Sequence, residues 1–218
     1  MAKLWTRCEE SIPCPYYLAP DKTFSYYLLE YVSGGSYQQY PSNSRILNFK
    51  IPVKFRHEQR WQYKCETVQY FAERIMECIN FPQSDTILIP MPTSKPRNDS
   101  EFDSRLDDVV KLVHMKTGQR IGFNLNAIHS SQAFHNSGSS RYVADIGGNI
   151  NFTPFDQPVP AKVILIDDVV TTGAHFMACR DKSSTGTQAF SFWACFWQKR
   201  YGKTACKGVS GSPTDRDT

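Results

Sequence analysis

The chain has 218 residues, of which 40% are apolar, enough for one domain of ordinary size with a real core. Its formal net charge of +4 is too small, and too evenly spread, to make nucleic acid the main partner. No apolar run approaches the roughly 20 residues of a membrane span, and Met1-Ala2-Lys3-Leu4-Trp5 lacks the apolar stretch of a secretory signal, so a cytoplasmic protein is expected.

Residues 1–45 are expected to form an N-terminal extension or hood. They are rich in tyrosine and broken by Pro13, Pro15, Pro20, Gly34, Gly35 and Pro41; within them Ser25 to Val32 fits a short helix or a strand equally well. Arg45 to Phe55 reads as strand-like. A helix follows, because Val68, Phe71, Ala72, Ile75, Cys78 and Ile79 recur at spacings of three and four, and Phe81-Pro82 ends it. Thr86-Ile87-Leu88-Ile89-Pro90 is a short continuous apolar run, the pattern of a buried parallel strand. A polar turn spans Pro92 to Ser100. The next helix places Phe102, Leu106, Val109, Val110 and Val113 on one face and stops near Gly118.

Residues 129–151 are polar and rich in glycine and serine, which predicts a lid or a disordered segment. Lys162 to Asp167 reads as the next strand, Ala174 to Lys182 as a short helix, and Thr187 to Trp197 as a central strand. The tail 201–218 is polar, small and expected to be disordered. The alternation of strands and helices predicts an α/β fold with an open, mainly parallel sheet flanked by helices over residues 46–200. The seven cysteines are odd in number and form no C-x-x-C pair, so reduced thiols are expected; Cys179 and Cys195 read as small core residues.

The chemistry concentrates in Val163-Ile164-Leu165-Ile166-Asp167-Asp168-Val169-Val170-Thr171-Thr172-Gly173-Ala174-His175. A buried strand delivers two carboxylates to its C-terminal edge, where open α/β sheets bind ligands. Thr171, Thr172 and Gly173 then open a helix, whose free N–H groups attract a phosphate. Carboxylates cannot hold a phosphate, but they accept hydrogen bonds from ribose hydroxyls, so the string suits a ribose 5-phosphate. Paired aspartates after a strand also occur in metal sites and as helix caps.

This string resembles the motif that binds 5-phosphoribosyl-1-pyrophosphate (PRPP) in type I phosphoribosyltransferases. Upstream, Ile87 to Arg97 with Phe102 looks like the pyrophosphate loop of the ComF-like branch of that family. The resemblance implies that Asp167 and Asp168 hold the ribose and, indirectly, a magnesium ion through bound ligand or water. It gives the 5-phosphate to Val169, Val170, Thr171, Thr172, Gly173, Ala174 and His175, and the pyrophosphate to Lys95 and Arg97. The implied partners are PRPP or a nucleoside monophosphate, with a homodimer compatible and nucleic acid only in an accessory role. A further match sets Gln132, Arg141, Asn149 or Asn151, and Phe152 against a flexible family segment.

The chain departs from the family pattern in three places. Cys8 and Cys14 do not reproduce the four-cysteine zinc module of ComF-like proteins. His175 stands where the loop closes with threonine or serine. Thr171 stands where the 6-oxopurine enzymes carry an aspartate base. Two functions therefore compete: phosphoribosyl transfer with release of pyrophosphate, and nucleotide sensing or an accessory role in DNA uptake or defence without catalysis.

Overall fold

The computed structural model describes residues 6–8, 18, 24–32, 38, 40, 42–130, 143–156, 158–184 and 191–201, with backbone alone for residues 6, 24, 78 and 191–201. In chain order the elements are β1 (Thr6–Arg7), β2 (Phe24–Val32), α1 (Ser42–Phe49), a 3-10 turn (Val53–Phe55), α2 (Trp61–Cys78), β3 (Thr86–Pro90), α3 (Arg105–Thr117), β4 (Leu125–Ala127), α4 (Val143–Gly148), β5 (Ile150–Phe152), β6 (Lys162–Val170), α5 (Ala174–Ser183) and β7 (Ser191–Tyr201). The main sheet has the order β1-β2-β7-β6-β3. Only β1 runs antiparallel to its neighbour; β2, β7, β6 and β3 are mutually parallel. A separate antiparallel pair joins β4 to β5.

Apolar alternation along the inner strands explains the layers. Ile87, Ile89, Val163 and Leu165 enter one core with Phe176, Ala178 and Cys179 of α5 and with Leu125 and Ile150 of the small sheet. Leu88, Ile164 and Ile166 face the other way, into a core built by Ile46 and Phe49 of α1, Phe71, Ala72 and Ile75 of α2, and Leu106, Val109, Val110 and Val113 of α3. A strand buried on both faces must be apolar at every position, and all five residues of β3 are buried. Each such Leu or Ile contributes about 1.5–3 kcal/mol of burial. The architecture is α/β with a parallel sheet between helical layers, as the sequence predicts.

Several elements differ from expectation. Arg45 to Phe55 is not a strand: Ser42–Phe49 is helical and Val53–Phe55 is a 3-10 turn. Ile46 and Phe49 are buried while Leu47 is 55% exposed, the one-sided burial of a helix. Asn43 fastens this helix to β2, donating to Val32 O at 2.9 Å and accepting from Val32 N at 3.1 Å. The stretch left open at Ser25 to Val32 is a strand, and β2 lies beside β7 in the main sheet although it belongs to the residues expected as a hood. Phe102 precedes α3 rather than lying in it, and Gly118 ends that helix with φ 72°.

The expected lid at 129–151 is in part regular structure, since α4 and the start of β5 fall within it. Val143 and Ile146, three apart, pack against the α5-side core. Residues 131–142, including Gln132 and Arg141, lie outside the described residues, as do Cys14, the side chain of Cys195 and the tail from 202. β6 runs three residues further than expected, through both aspartates to Val170, because β7 continues to pair with it as far as Lys199. Among the described residues, no helix is long and apolar enough to cross a membrane.

Candidate functional site

β3 ends at Pro90, which pairs with Ile166, and the amide of Met91 makes the last contact to Ile166 O at 2.9 Å. Beyond that point β6 keeps β7 on one side only. Asp167 and Asp168 are therefore the first residues of β6 to pass the end of its neighbour, at the carboxyl edge where ligands of open α/β sheets bind. Successive residues of a strand point to opposite faces, so the two carboxylates divide between the layers.

Asp167 turns to α5. Its Oδ2 lies 3.1 Å from His175 Nδ1 and its Oδ1 accepts the Asp168 amide at 2.7 Å. His175 stands in the first turn of α5, one turn before the buried Cys179. Burial disfavours the imidazolium, but the charge interactions of Cys179 and Asp167 and their hydrogen bonds to the ring outweigh it. The pKa of His175 is raised well above its ordinary value.

Asp168 turns to α1 and α3. Its Oδ2 receives Arg105 Nη2 at 2.6 Å and Lys50 Nζ at 3.0 Å, while its Oδ1 has no hydrogen-bond partner among the described residues. Burial opposes the charge of Asp168; Lys50 and Arg105 overcome it and hold the carboxyl well below the usual carboxylate range. The ion pairs continue inward: Arg105 Nη1 donates to Asp103 Oδ2 at 2.6 Å, and Lys64 Nζ donates to the same oxygen at 2.7 Å and to Ile51 O at 2.8 Å. Burial lowers the pKa of Lys64, and Asp103 works against that shift.

After β6, Thr171 and Thr172 are exposed and Gly173 adopts φ 84°, a left-handed turn that delivers the chain into α5. Glycine is required there twice over. A side chain is strained at this φ, and a Cβ would lie 2.6 Å from Leu18 Cγ. The sequence reading has this glycine admitting a phosphate; in the structure the close approach at its Cα is made by Leu18. Gly173 supplies no side-chain cap to α5, and Thr172 Oγ1 accepts the Ala174 amide at 3.3 Å. Val169 is half-buried, while Val170 and Ala174 are packed away, so these three contribute backbone rather than side chains to the turn.

The two basic residues expected to hold pyrophosphate are engaged elsewhere. Arg97 forms a two-pronged pair with Asp107, Nε to Oδ2 at 2.8 Å and Nη2 to Oδ1 at 3.0 Å. Its Nη1 donates to Leu125 O at 2.8 Å and to Asn126 Oδ1, and its guanidinium sits 5.0 Å from the Phe123 ring centre. Arg97 thereby ties the turn after β3 to α3 and β4. Lys95 pairs with Glu101 and approaches Asp99, whose other oxygen accepts Ser130 Oγ at 2.6 Å. Of the weaker candidates, Asn149 bridges the His129 backbone at 2.9 and 3.0 Å, Asn151 pairs with Asn126 across the small sheet, and Phe152 stacks edge-on with Phe155.

Sequence reasoning thus names Asp167, Asp168 and His175 as site residues but not the contact between Asp167 and His175, and it misses Lys50, Lys64, Asp103 and Arg105. Arg105 is 63 residues from Asp168 in the chain, and no local motif joins them. The four-residue spacing of His175 and Cys179 on a helix was a readable signal. Comparison with protein-family models and with curated proteins finds no match to this chain.

Proposed function

We propose that this chain is a phosphoribosyltransferase-like protein of the cytoplasm. It binds PRPP, or the ribose 5-phosphate of a nucleotide, at the carboxyl end of β6 and transfers the phosphoribosyl group with release of pyrophosphate. The observation that carries the reading is the junction itself. Asp168 Oδ1, which has no hydrogen-bond partner among the described residues, stands three residues before an exposed Thr171-Thr172 turn and a helix start where Thr172 Oγ1 takes the Ala174 amide and Gly173 supplies no cap. A ribose hydroxyl needs such an acceptor, and a 5-phosphate needs such donors. The open, parallel α/β sheet, with the site beyond its carboxyl edge, is the setting this class of enzyme requires.

In this reading Thr171, Thr172 and the backbone of Gly173 to His175 hold the 5-phosphate. Asp168 orients the ribose from one face and Asp167, through His175, fixes the start of α5 on the other. Displacement at the anomeric carbon then depends mainly on positioning and charge stabilisation. Magnesium usually binds one or two carboxylates together with substrate phosphates and water. Asp168 is the residue able to contact it, and the ion would supply charge neutralisation for the leaving pyrophosphate.

One observation favours the alternative, a nucleotide sensor without catalysis: Lys95 and Arg97 are held by Glu101 and Asp107 instead of standing open for a diphosphate. Incubation of the purified chain with PRPP, magnesium and a panel of bases separates the two. Enzymatic detection of released pyrophosphate supports transfer; a melting shift with PRPP or nucleoside monophosphates but no pyrophosphate supports sensing. The absence of both effects would falsify the ribose 5-phosphate reading.

A further inference from the structure

Lys50 follows α1 and Arg105 opens α3, so two separate elements bring cations to one oxygen of Asp168. Lys50, Lys64 and Arg105 share two carboxylates in direct contact, Asp103 and Asp168, while Asp108 acts on Lys64 from further off. The donors of Lys50 and Arg105 are not exhausted. Lys50 carries three N–H groups, touches Asp168 alone among the described residues, and leaves 38% of its side chain exposed. The buried Nε of Arg105 has no acceptor among the described residues. Both cations reach the end of β6 at Asp168, two residues beyond Ile166, the last β6 residue paired with β3.

We propose that Lys50 and Arg105 are the cations that take the diphosphate of the ligand, while Lys95 and Arg97 shape the turn beside it. The assignment rests on the PRPP reading above. Diphosphate oxygens take up the unused donors of Lys50 and the Nε side of Arg105, whose planar fork suits phosphate. As the cations shift toward the diphosphate, Asp168 gains acceptor capacity for a ribose hydroxyl. One carboxylate thereby holds the two cations in place before the ligand arrives and receives the sugar afterwards. A ligand bearing only a monophosphate on C5 leaves Lys50 on Asp168.

Calorimetric titration of the full chain with inorganic pyrophosphate, ribose 5-phosphate and PRPP, each with magnesium, tests this. Lys50→Met keeps the aliphatic stem and is partly exposed, so folding should survive. It is expected to weaken pyrophosphate and PRPP by about tenfold or more, the scale of one charge-assisted contact, and ribose 5-phosphate by much less. Arg105→Lys, which keeps the charge and loses the fork, should act in the same direction. Undiminished pyrophosphate affinity in Lys50→Met overturns the assignment, as does a selective loss in Lys95→Ala instead. If the unmutated chain binds ribose 5-phosphate but not pyrophosphate, the assignment falls and the ribose reading stands. If it binds pyrophosphate through Lys50 but not ribose 5-phosphate, the ribose reading falls and the cation site stands. Binding of neither removes both.

Discussion

The imidazole of His175 is bonded through Nδ1 to Asp167 Oδ2 at 3.1 Å, so a side chain in the first turn of α5 faces back to the strand that precedes the helix. Because its pKa in the folded chain is raised well above 6.5, the folded state holds this proton more tightly than the unfolded state does. The resulting stability is complete below about pH 6.5, the unfolded value. It is lost as the pH rises through the higher folded value. His175→Asn removes it. The melting temperature gap between the two proteins should be widest near pH 6 and close in the alkaline range. A loss of about 2–4 °C at the acidic end corresponds to about 1 kcal/mol in a chain of this size. Parallel melting curves across pH would remove the charged pair.

Asp168→Asn should destabilise the fold and not merely impair binding, since Arg105 and Lys50 lose their shared charge partner. Breaking one side of a buried pair costs about 3–5 kcal/mol, and the partial exposure of Lys50 places this case at the lower end. The carboxyl of Asp168 is held below its ordinary range, so its contribution is present above about pH 3.9, the unfolded value, and is lost as the pH falls through the folded value. Urea unfolding at neutral pH, with a repeat under acid conditions where the two proteins should converge, measures both effects.

Arg97→Ala and Lys95→Ala should behave differently despite their proximity. Arg97 links Asp107, Leu125 and Asn126, so its removal should cost about 2–3 kcal/mol, as for a structural ion pair broken on one side. Lys95 pairs with an exposed Glu101 at the surface, where solvent screens such pairs and they contribute little. Equal denaturation midpoints for the two variants would contradict the structure.

Gly173→Ala should destabilise by about 1–3 kcal/mol, through backbone strain at positive φ and through collision with Leu18. The two causes separate in a double-mutant cycle. Leu18→Ala should recover part of the loss in Gly173→Ala, because it removes the clash and leaves the strain. Strict additivity would show that Leu18 does not press on the turn.

How much of this was legible follows from the range of each signal. β3, the helix over Val68 to Ile79, the helix ending at Gly118 and the strand-to-helix passage at Asp167 to His175 were readable because each is carried by contiguous residues. Their apolar period or turn chemistry needs no distant partner. The segment at Arg45 misled because its apolar content was weighed without its spacing: Ile46 and Phe49 are three apart and share a helix face. β2 stayed ambiguous because its tyrosines suit a helix or a strand, and pairing with β7 decides the matter. The basic turn was read from its charge and from its likeness to a family loop. Asp107, Glu101 and Asn126, which occupy its side chains, come from α3, its approach and β4. Lys50 and Arg105 were invisible for the same reason, since only the packed layers bring α1 and α3 to Asp168.

The contacts along β3 have one more consequence. On the side away from β6, Leu88 donates its amide to Arg120 O at 3.0 Å and accepts from the Gly122 amide at 2.9 Å, so a short length of chain lies along the flank of the sheet. A strand with open amides is a template on which another polypeptide can grow a cross-chain sheet. Here the central residue of that strand already has its partners, and a Cβ at Gly122 would lie 2.8 Å from Ile87 Cδ1 and closer still to the side chain of Asn124, so both side-chain ends must shift to admit a larger residue. Gly122→Val should pry this guard strip away and leave a chain that folds yet clumps on storage, visible as rising light scattering at a concentration where the parent stays clear.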